Sequence, residues 1–561
     1  MVLVGQSAIT TGHYDQARTG VNPAEKLLTP QNVNAQSFGR LAALPVSGCV
    51  VSQPLYVPNL NVPGQGTKNV VYVTTAENWV YAFDADDFTL YASRQLANPV
   101  PTTEINPEGP YADFPDCEDP SQFGPVGISG TPVIDLGETA IYMVAAVKDT
   151  DTGIQQAWFY KLDLATLNDL IAPVQVAGQS QGNTFDARYQ LQRAALLLVN
   201  GLVYIAFSSH TDEIPYRGWL FSYDNQLNQT AAYNYSPQKS GSGIWQSGGG
   251  PAFDGTYIYV TTGNAAEGTD APTENEDSIL QIDPVTLQVV AKTSFPAEDT
   301  LWDTSNDIDL GSSRVIPLPD SPFAIAGSKL GDMFLMQRSD MSLVTRFQAA
   351  GRLSSGFDWT GIYNGLAFWN NTLFVWPGGG GSSSDSTYPT DVLKAYSVAS
   401  DGTVNQVTWG QSDSVGLGYQ GAGISISANG TDPASGIVWA MTPVNNDSWV
   451  RPAALRAYAA SSTGMFQQLW TDADPSTGDG GYFWGKFSQP LIANGRVYVP
   501  TYSNEVLVYG LTGPVYPPPS IHPAGGPPTS PCRWRRESAS TSGNPPPLSS
   551  CGSADSSRPQ Q

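Results

Sequence analysis

The chain of 561 residues carries 26 Lys+Arg against 50 Asp+Glu, a formal net charge of −24, and only 14% of its residues are charged. So acidic a protein repels phosphate backbones, which excludes nucleic-acid binding. Its 40% hydrophobic residues together with 56 Gly reach ordinary globular content, which excludes general disorder, and no run approaches the roughly 20 apolar residues needed to cross a bilayer.

In chain order, residues 1–37 match no repeat and are expected to pack on the domain that follows; their first residues have neither the basic nor the apolar stretch of a signal peptide. Next comes a spare strand, FGRLAALP at residues 38–45, with no unit of its own. From there one pattern recurs: an apolar strand, a polar loop, then a second strand that runs into an acidic turn. Its first copies are residues 70–75 (VVYVTT) with 79–84 (WVYAFD), 140–145 (AIYMVA) with 158–163 (WFYKLD), 202–207 (LVYIAF) with 219–224 (WLFSYD), and 257–262 (YIYVTT) with 278–283 (SILQID). Looser copies follow at residues 323–337, 372–396, 437–458 and 496–509, and a further strand precedes several pairs, as TPVID does at 131–135.

Tyr72, Tyr142, Tyr204 and Tyr259 hold equivalent places roughly sixty residues apart, enough for one four-stranded sheet with an enlarged loop. Such sheets have two faces to bury, and only neighbouring sheets can cover them. The reading is an all-β fold: a single β-propeller of about eight four-stranded blades over residues 38–512, closed into a ring by the N-terminal strand in the last blade. Beyond it, residues 513–561 are rich in Pro, Ser and Gly and are expected to form a disordered tail.

Cysteines Cys49, Cys117, Cys532 and Cys551 form no CxxC pair. Cys49 and Cys117 could bridge, and with the Lys-poor acidic surface this points to an extracellular or secreted protein. Sequons at Asn228, Asn234, Asn370, Asn429 and Asn446 occur at about the frequency of chance in a chain this rich in Ser and Thr.

Five segments carry a resemblance to the quinoprotein alcohol dehydrogenase-like propellers, whose active members hold pyrroloquinoline quinone (PQQ) and calcium. They are His13-Tyr-Asp-Gln-Ala-Arg-Thr-Gly20, Gln53-Pro-Leu-Tyr-Val57, Gly127-Ile-Ser-Gly-Thr-Pro-Val-Ile-Asp135, Ile244-Trp-Gln-Ser-Gly-Gly-Gly-Pro251 and Tyr259-Val-Thr-Thr-Gly-Asn264. The resemblance implies five site positions. Glu213 and Asn264 fall where the family places calcium ligands, Trp245 where an indole floors the quinone, Asp309 where a carboxylate takes the alcohol proton, and Lys329 where a cation contacts the quinone oxygens. Calcium prefers such oxygen ligands and would polarise a carbonyl; the lysine would stabilise developing anionic charge.

Each position also has a plainer reading: Trp245 as packing between blades, Asn264 and Asp309 as turn residues, Glu213 as a solvated loop carboxylate, Lys329 as a surface cation. The sequence departs from the family pattern in having no two adjacent cysteines, no CxxCH haem site and no placeable second arginine. Two functions therefore stand: a PQQ- and calcium-dependent oxidoreductase acting on a small alcohol or sugar hydroxyl, or a non-catalytic propeller that binds a glycan or protein. A glycosidase with two carboxylates across the channel is a third reading, with no pair to support it. A monomer without nucleic-acid or membrane partners is expected.

Overall fold

The computed structural model describes residues 7–101, 124–150, 152–153, 155–210, 214–265, 274–295, 310–350, 361–378, 391–409, 421–444, 451–461, 464–476 and 480–513. The chain divides into two units, Met1–Gly513 and Pro514–Gln561; the second, with the expected tail, lies outside the described residues.

Among the described residues there is no α-helix, only two short 3-10 turns at Ala187–Tyr189 and Gln246–Gly248. Eight antiparallel sheets follow one another along the chain, and together they form an eight-bladed propeller. Blade 1 is built from Leu55–Val62, Gly66–Thr74, Trp79–Asp84 and Leu90–Gln95, and blade 2 from Val133–Asp135, Ala140–Lys148, Gln155–Asp163 and Asp169–Gln175. Blades 3 to 7 repeat the plan with second and third strands at Leu202–Ser209 and Trp219–Tyr223, Ile258–Thr261 and Ser278–Ile282, Phe323–Gly327 and Asp332–Gln337, Thr372–Val375 and Lys394–Val398, and Ile437–Pro443 and Pro452–Ala459.

Blade 8 has only three strands from its own stretch, Leu491–Ala493, Arg496–Pro500 and Glu505–Leu511. Its fourth is Phe38–Pro45, antiparallel to the last strand, from Phe38 opposite Leu511 to Pro45 opposite Glu505. The spare strand closes the ring, as its lack of a unit predicted.

Burial explains the strand sequences. The middle strands of blade 4, Ile258–Thr261 and Ser278–Ile282, are buried throughout because a neighbouring blade covers each face, so they are mostly apolar on both faces and their polar members are hydrogen-bonded, as Gln281 is to the Tyr259 hydroxyl at 2.9 Å. The outer strand Val289–Ser294 has no fully buried residue. Separate apolar clusters fill the gaps: one joins blades 1 and 2 around Tyr72, Ile141 and Tyr160, another joins blades 3 and 4 around Tyr204, Leu220 and Val260. The acidic turns are Asx turns. The Oδ1 atoms of Asp84, Asp163, Asp224 and Asp283 accept backbone N–H groups two or three residues on, at 2.8, 2.8, 2.9 and 2.7 Å.

Since successive strands are antiparallel, connections from second to third strand and from outer strand to the next blade emerge on one face. The remaining hairpin turns emerge on the other.

Candidate functional site

The N-terminal segment bonds the first strands of several blades in turn and plugs the ring where they converge: the carbonyls of Thr10, Gln16, Thr19 and Gly20 accept the N–H groups of Ile134, Phe253, Phe368 and Ile426 at 2.8, 2.7, 2.8 and 2.8 Å, in blades 2, 4, 6 and 7. The Arg18 guanidinium is fully buried, and carbonyls replace water around it. It donates to the Pro251 carbonyl at 3.0 Å, to Gly12 at 2.7 Å, to Leu196 at 2.9 Å and to the Thr11 hydroxyl at 2.6 Å. Arg314, equally buried, donates to the Arg18 carbonyl at 3.1 Å, to Asn364 Oδ1 at 3.1 Å and to the Leu366 carbonyl. Amides complete the plug: Asn364 Nδ2 donates to Gln489 Oε1 at 3.0 Å, Gln489 Nε2 to Gln53 Oε1 at 2.6 Å, and the His13 N–H to that same oxygen at 2.8 Å. Burial, with Arg314 and Arg18 close by, holds the His13 imidazole well below its usual pKa and so neutral.

The turn after Trp245 meets this plug. Gln246 and Ser247 are both left-handed, with φ of 50° and 43°, and Gly248 follows at 80°. A Cβ on Gly248 would lie 2.7 Å from the Phe487 carbonyl oxygen and 2.9 Å from Arg193 Nη1, and one on Gly250 would lie 2.5 Å from the Ala195 carbonyl oxygen. The glycine run is therefore steric: blade 4 brings its backbone to blades 3 and 8 at the channel axis, where no side chain fits.

Trp245, at the head of that turn, is half-buried. Its indole N–H points to Ser209 Oγ at 3.4 Å, and its ring packs on a small cluster containing Cys49, Val51, Leu191 and Tyr502. Cys49 is disulfide-bonded; Cys117 lies outside the described residues.

Asn264 is joined to the same turn. Its carbonyl accepts the Ser242 N–H at 3.1 Å while the Gly263 N–H donates to Gly243 at 2.9 Å. The residue is buried, and it is not left-handed, so turn geometry does not account for an asparagine here. Lys329 is half-buried, between Phe323–Gly327 and Asp332–Gln337 of blade 5, where Gly361 packs against its backbone. The turn after Trp245 and the strand before Lys329 both reach the segment entering blade 5: the Gln246 N–H donates to the Gly311 carbonyl at 2.7 Å, and the Gly327 N–H to Ser313 Oγ at 3.2 Å. Trp245 and Asn264 are thus brought together, and Lys329 stands one blade further round. All three fall on connections of the same face. Glu213 and Asp309 lie outside the described residues.

Several groups around the turn have no counterpart in the sequence-based set. Arg193 donates to the Ser129 carbonyl at 3.3 Å and to the Lys486 carbonyl at 3.1 Å. Burial pushes the Lys486 ammonium down to about 7, and it lies 4.9 Å from the centre of the Phe487 ring. Gln246 is fully buried with neither side-chain amide atom bonded among the described residues, and the same holds for the hydroxyls of Ser208, Ser242 and Ser328. One sequence signal could have pointed here: Ser52-Gln53-Pro54 recurs as Ser488-Gln489-Pro490 in the adjacent blade, and both glutamines sit in the plug. No group of three or more His, Cys, Asp or Glu that could hold a metal occurs among the described residues.

No family model matches the chain, and no curated protein matches it. Solved structures do. The quinohemoprotein alcohol dehydrogenase from Pseudomonas putida HK5 superposes with a TM-score of 0.58 at 12% identity, over 93% of this chain and 82% of that one. The quinohemoprotein alcohol dehydrogenase from Comamonas testosteroni gives 0.55 at 13%, over 90% and 80%. A europium-containing methanol dehydrogenase gives 0.54 at 14%, over 90% and 98%. At these identities the likeness is one of fold: the chain shares the eight-bladed β-propeller architecture.

Proposed function

We propose that the face carrying Trp245 binds a planar quinone cofactor of the PQQ type with calcium, and that the protein oxidises an alcohol or sugar hydroxyl there. The observation that carries this reading is the placement of Trp245. Two left-handed residues and a glycine run with no room for a Cβ follow directly on a half-buried indole that packs beside a disulfide-bonded cysteine.

The described residues fit such a group. An indole face suits a flat ring system, and the unsatisfied amide of Gln246 with the serine hydroxyls near it suits a polar ligand. The Arg193 guanidinium favours an acidic one in a chain otherwise short of positive charge. Asn264 would contribute an oxygen to the calcium, with Glu213 as its companion. When bound, the quinone would accept the hydride equivalent and supply the redox chemistry. The chain's own part is to bind, orient and move a proton: Asp309 would accept the substrate hydroxyl proton, and Lys329 would stabilise negative charge beside it. The disulfide at Cys49 also favours an oxidising compartment outside the cytosol.

The test is titration with PQQ, with and without calcium, followed by dye reduction with alcohols and aldoses. Saturable, calcium-dependent binding weakened by Trp245→Ala and Asn264→Ala, and turnover lost in Asp309→Ala with binding retained, would support the reading. Absence of saturable binding, or binding indifferent to both substitutions, overturns it.

A further inference from the structure

A second site lies away from the axis, in the gap between blades 1 and 2. A cleft of about 500 Å³ opens there, with Gln95 and Asn98 on the blade 1 side and Lys148, Gln156, Trp158 and Tyr160 on the blade 2 side. Gln156, Trp158 and Tyr160 alternate along Gln155–Asp163, so the strand's two-residue period sends all three side chains to one face. Tyr160 is buried in the core between the two blades, while Trp158 packs on that core and remains half-exposed.

The indole is fixed in place. Trp158 Nε1 donates to Gln156 Oε1 at 2.7 Å, and Gln156 Nε2 donates to Asp149 Oδ2 at 3.0 Å. Across the gap, the Lys148 N–H donates to the Asn98 carbonyl at 3.1 Å and ties the two walls together. Lys148 ends a second strand and Gln155 begins a third, so the cleft opens on the same face of the propeller as Trp245.

We propose that this cleft binds a neutral saccharide. A sugar ring presents one apolar C–H face and a rim of hydroxyls. A half-exposed indole held by a hydrogen-bond relay offers a flat, pre-organised surface to the first, and amide side chains offer paired donors and acceptors to the second. The lining holds one cation and one anion, Lys148 and Asp149, so it has no net preference for a charged ligand. The volume suits a few sugar units. A glycan held there would lie on the substrate face, and the cleft requires neither cofactor nor metal to bind it.

Calorimetry with neutral tetrasaccharides of glucose, xylose and mannose, in the absence of PQQ, tests this. At least one should bind saturably, about tenfold more weakly to Trp158→Ala and with intermediate affinity to Trp158→Phe, which keeps a stacking face. If Trp158→Ala does not fold by near-ultraviolet circular dichroism, Gln156→Ala, which frees the indole, should weaken binding severalfold. Trp245→Ala should leave saccharide binding unchanged, which separates this site from the one at the axis. No binding by any of the sugars, binding unaffected by the Trp158 and Gln156 substitutions, or binding lost in Trp245→Ala alone would overturn the proposal.

Discussion

The ring is held shut by a strand with few apolar anchors, so Phe38→Ala should open it locally. In Phe38–Pro45 only Phe38 and Leu44 are fully buried. Phe38 packs edge-on to Trp470 with ring centres 4.9 Å apart and tilted on Trp439 at 5.3 Å. Truncating a buried phenylalanine costs about 3–5 kcal/mol through lost transfer energy and the cavity left behind. If the strand can detach while the other blades remain folded, that whole cost appears in the local opening equilibrium. At about 1.4 kcal/mol per factor of ten, amide exchange in residues 38–45 and 505–511 should accelerate by roughly two to three and a half orders of magnitude. Exchange in Ser278–Ile282 of blade 4, across the ring, should stay unchanged. Hydrogen–deuterium exchange with mass spectrometry reads both. Equal acceleration in all blades would refute a separable latch, and no acceleration anywhere would refute the packing argument.

Two buried groups should give stability opposite slopes with pH. Burial pushes the His210 imidazole down to about 3, so below 6.5 the unfolded chain binds a proton that the folded one refuses. Stability should fall as pH drops, by about 2 kcal/mol at pH 5, and His210→Gln should flatten that limb of a chemical-denaturation series. Burial raises the Asp472 carboxyl to about 6 even though it accepts hydrogen bonds from Tyr509 and the Leu455 N–H, so the folded state holds the proton more tightly. Its contribution is gained as pH falls from about 6 to 4, up to about 3 kcal/mol, and Asp472→Asn should remove it; an unchanged profile in either variant refutes the corresponding assignment. At the glycine turn, Gly248→Ala meets both a left-handed φ of 80° and a contact 2.7 Å from the Phe487 oxygen, whereas Gly255→Ala meets only a φ of 98° with nothing within 4 Å. The first should lose several kcal/mol and shift tryptophan emission, the second about 1 kcal/mol with emission unaltered; equal losses would refute the steric role given to the close approach.

Most of the fold was legible along the chain. Strand pairs such as 70–75 with 79–84 show their period because consecutive residues alternate between faces. The aspartate closing the third strand in blades 1 to 4 shows itself because an Asx turn is made by neighbours two or three residues apart. Even ring closure was readable, since a blade one strand short and a strand without a blade imply each other. The site was legible only in part. The segments that carry Trp245 and Asn264 are joined by backbone hydrogen bonds, Ser242 to Asn264 and Gly263 to Gly243, because both are glycine-flanked and close in sequence. Lys329 shares their face one blade further round, and the plain reading of Asn264 as a left-handed turn residue does not survive.

Local chemistry, acting between near neighbours, was enough to specify strands, turns, blade number and the segment that seals the ring. What occupies the axis was decided elsewhere. Arg193 meets the Lys486 carbonyl 293 positions away, and Gln489 meets Gln53 436 positions away. The first leaves no trace in the residues around it and the second only the repeated Ser-Gln-Pro, because each contact exists only once eight sheets have closed and brought their innermost segments to one point. The rim cleft has the same origin: Trp158 is an ordinary strand residue until blade 1 is packed beside blade 2 and leaves part of its indole uncovered.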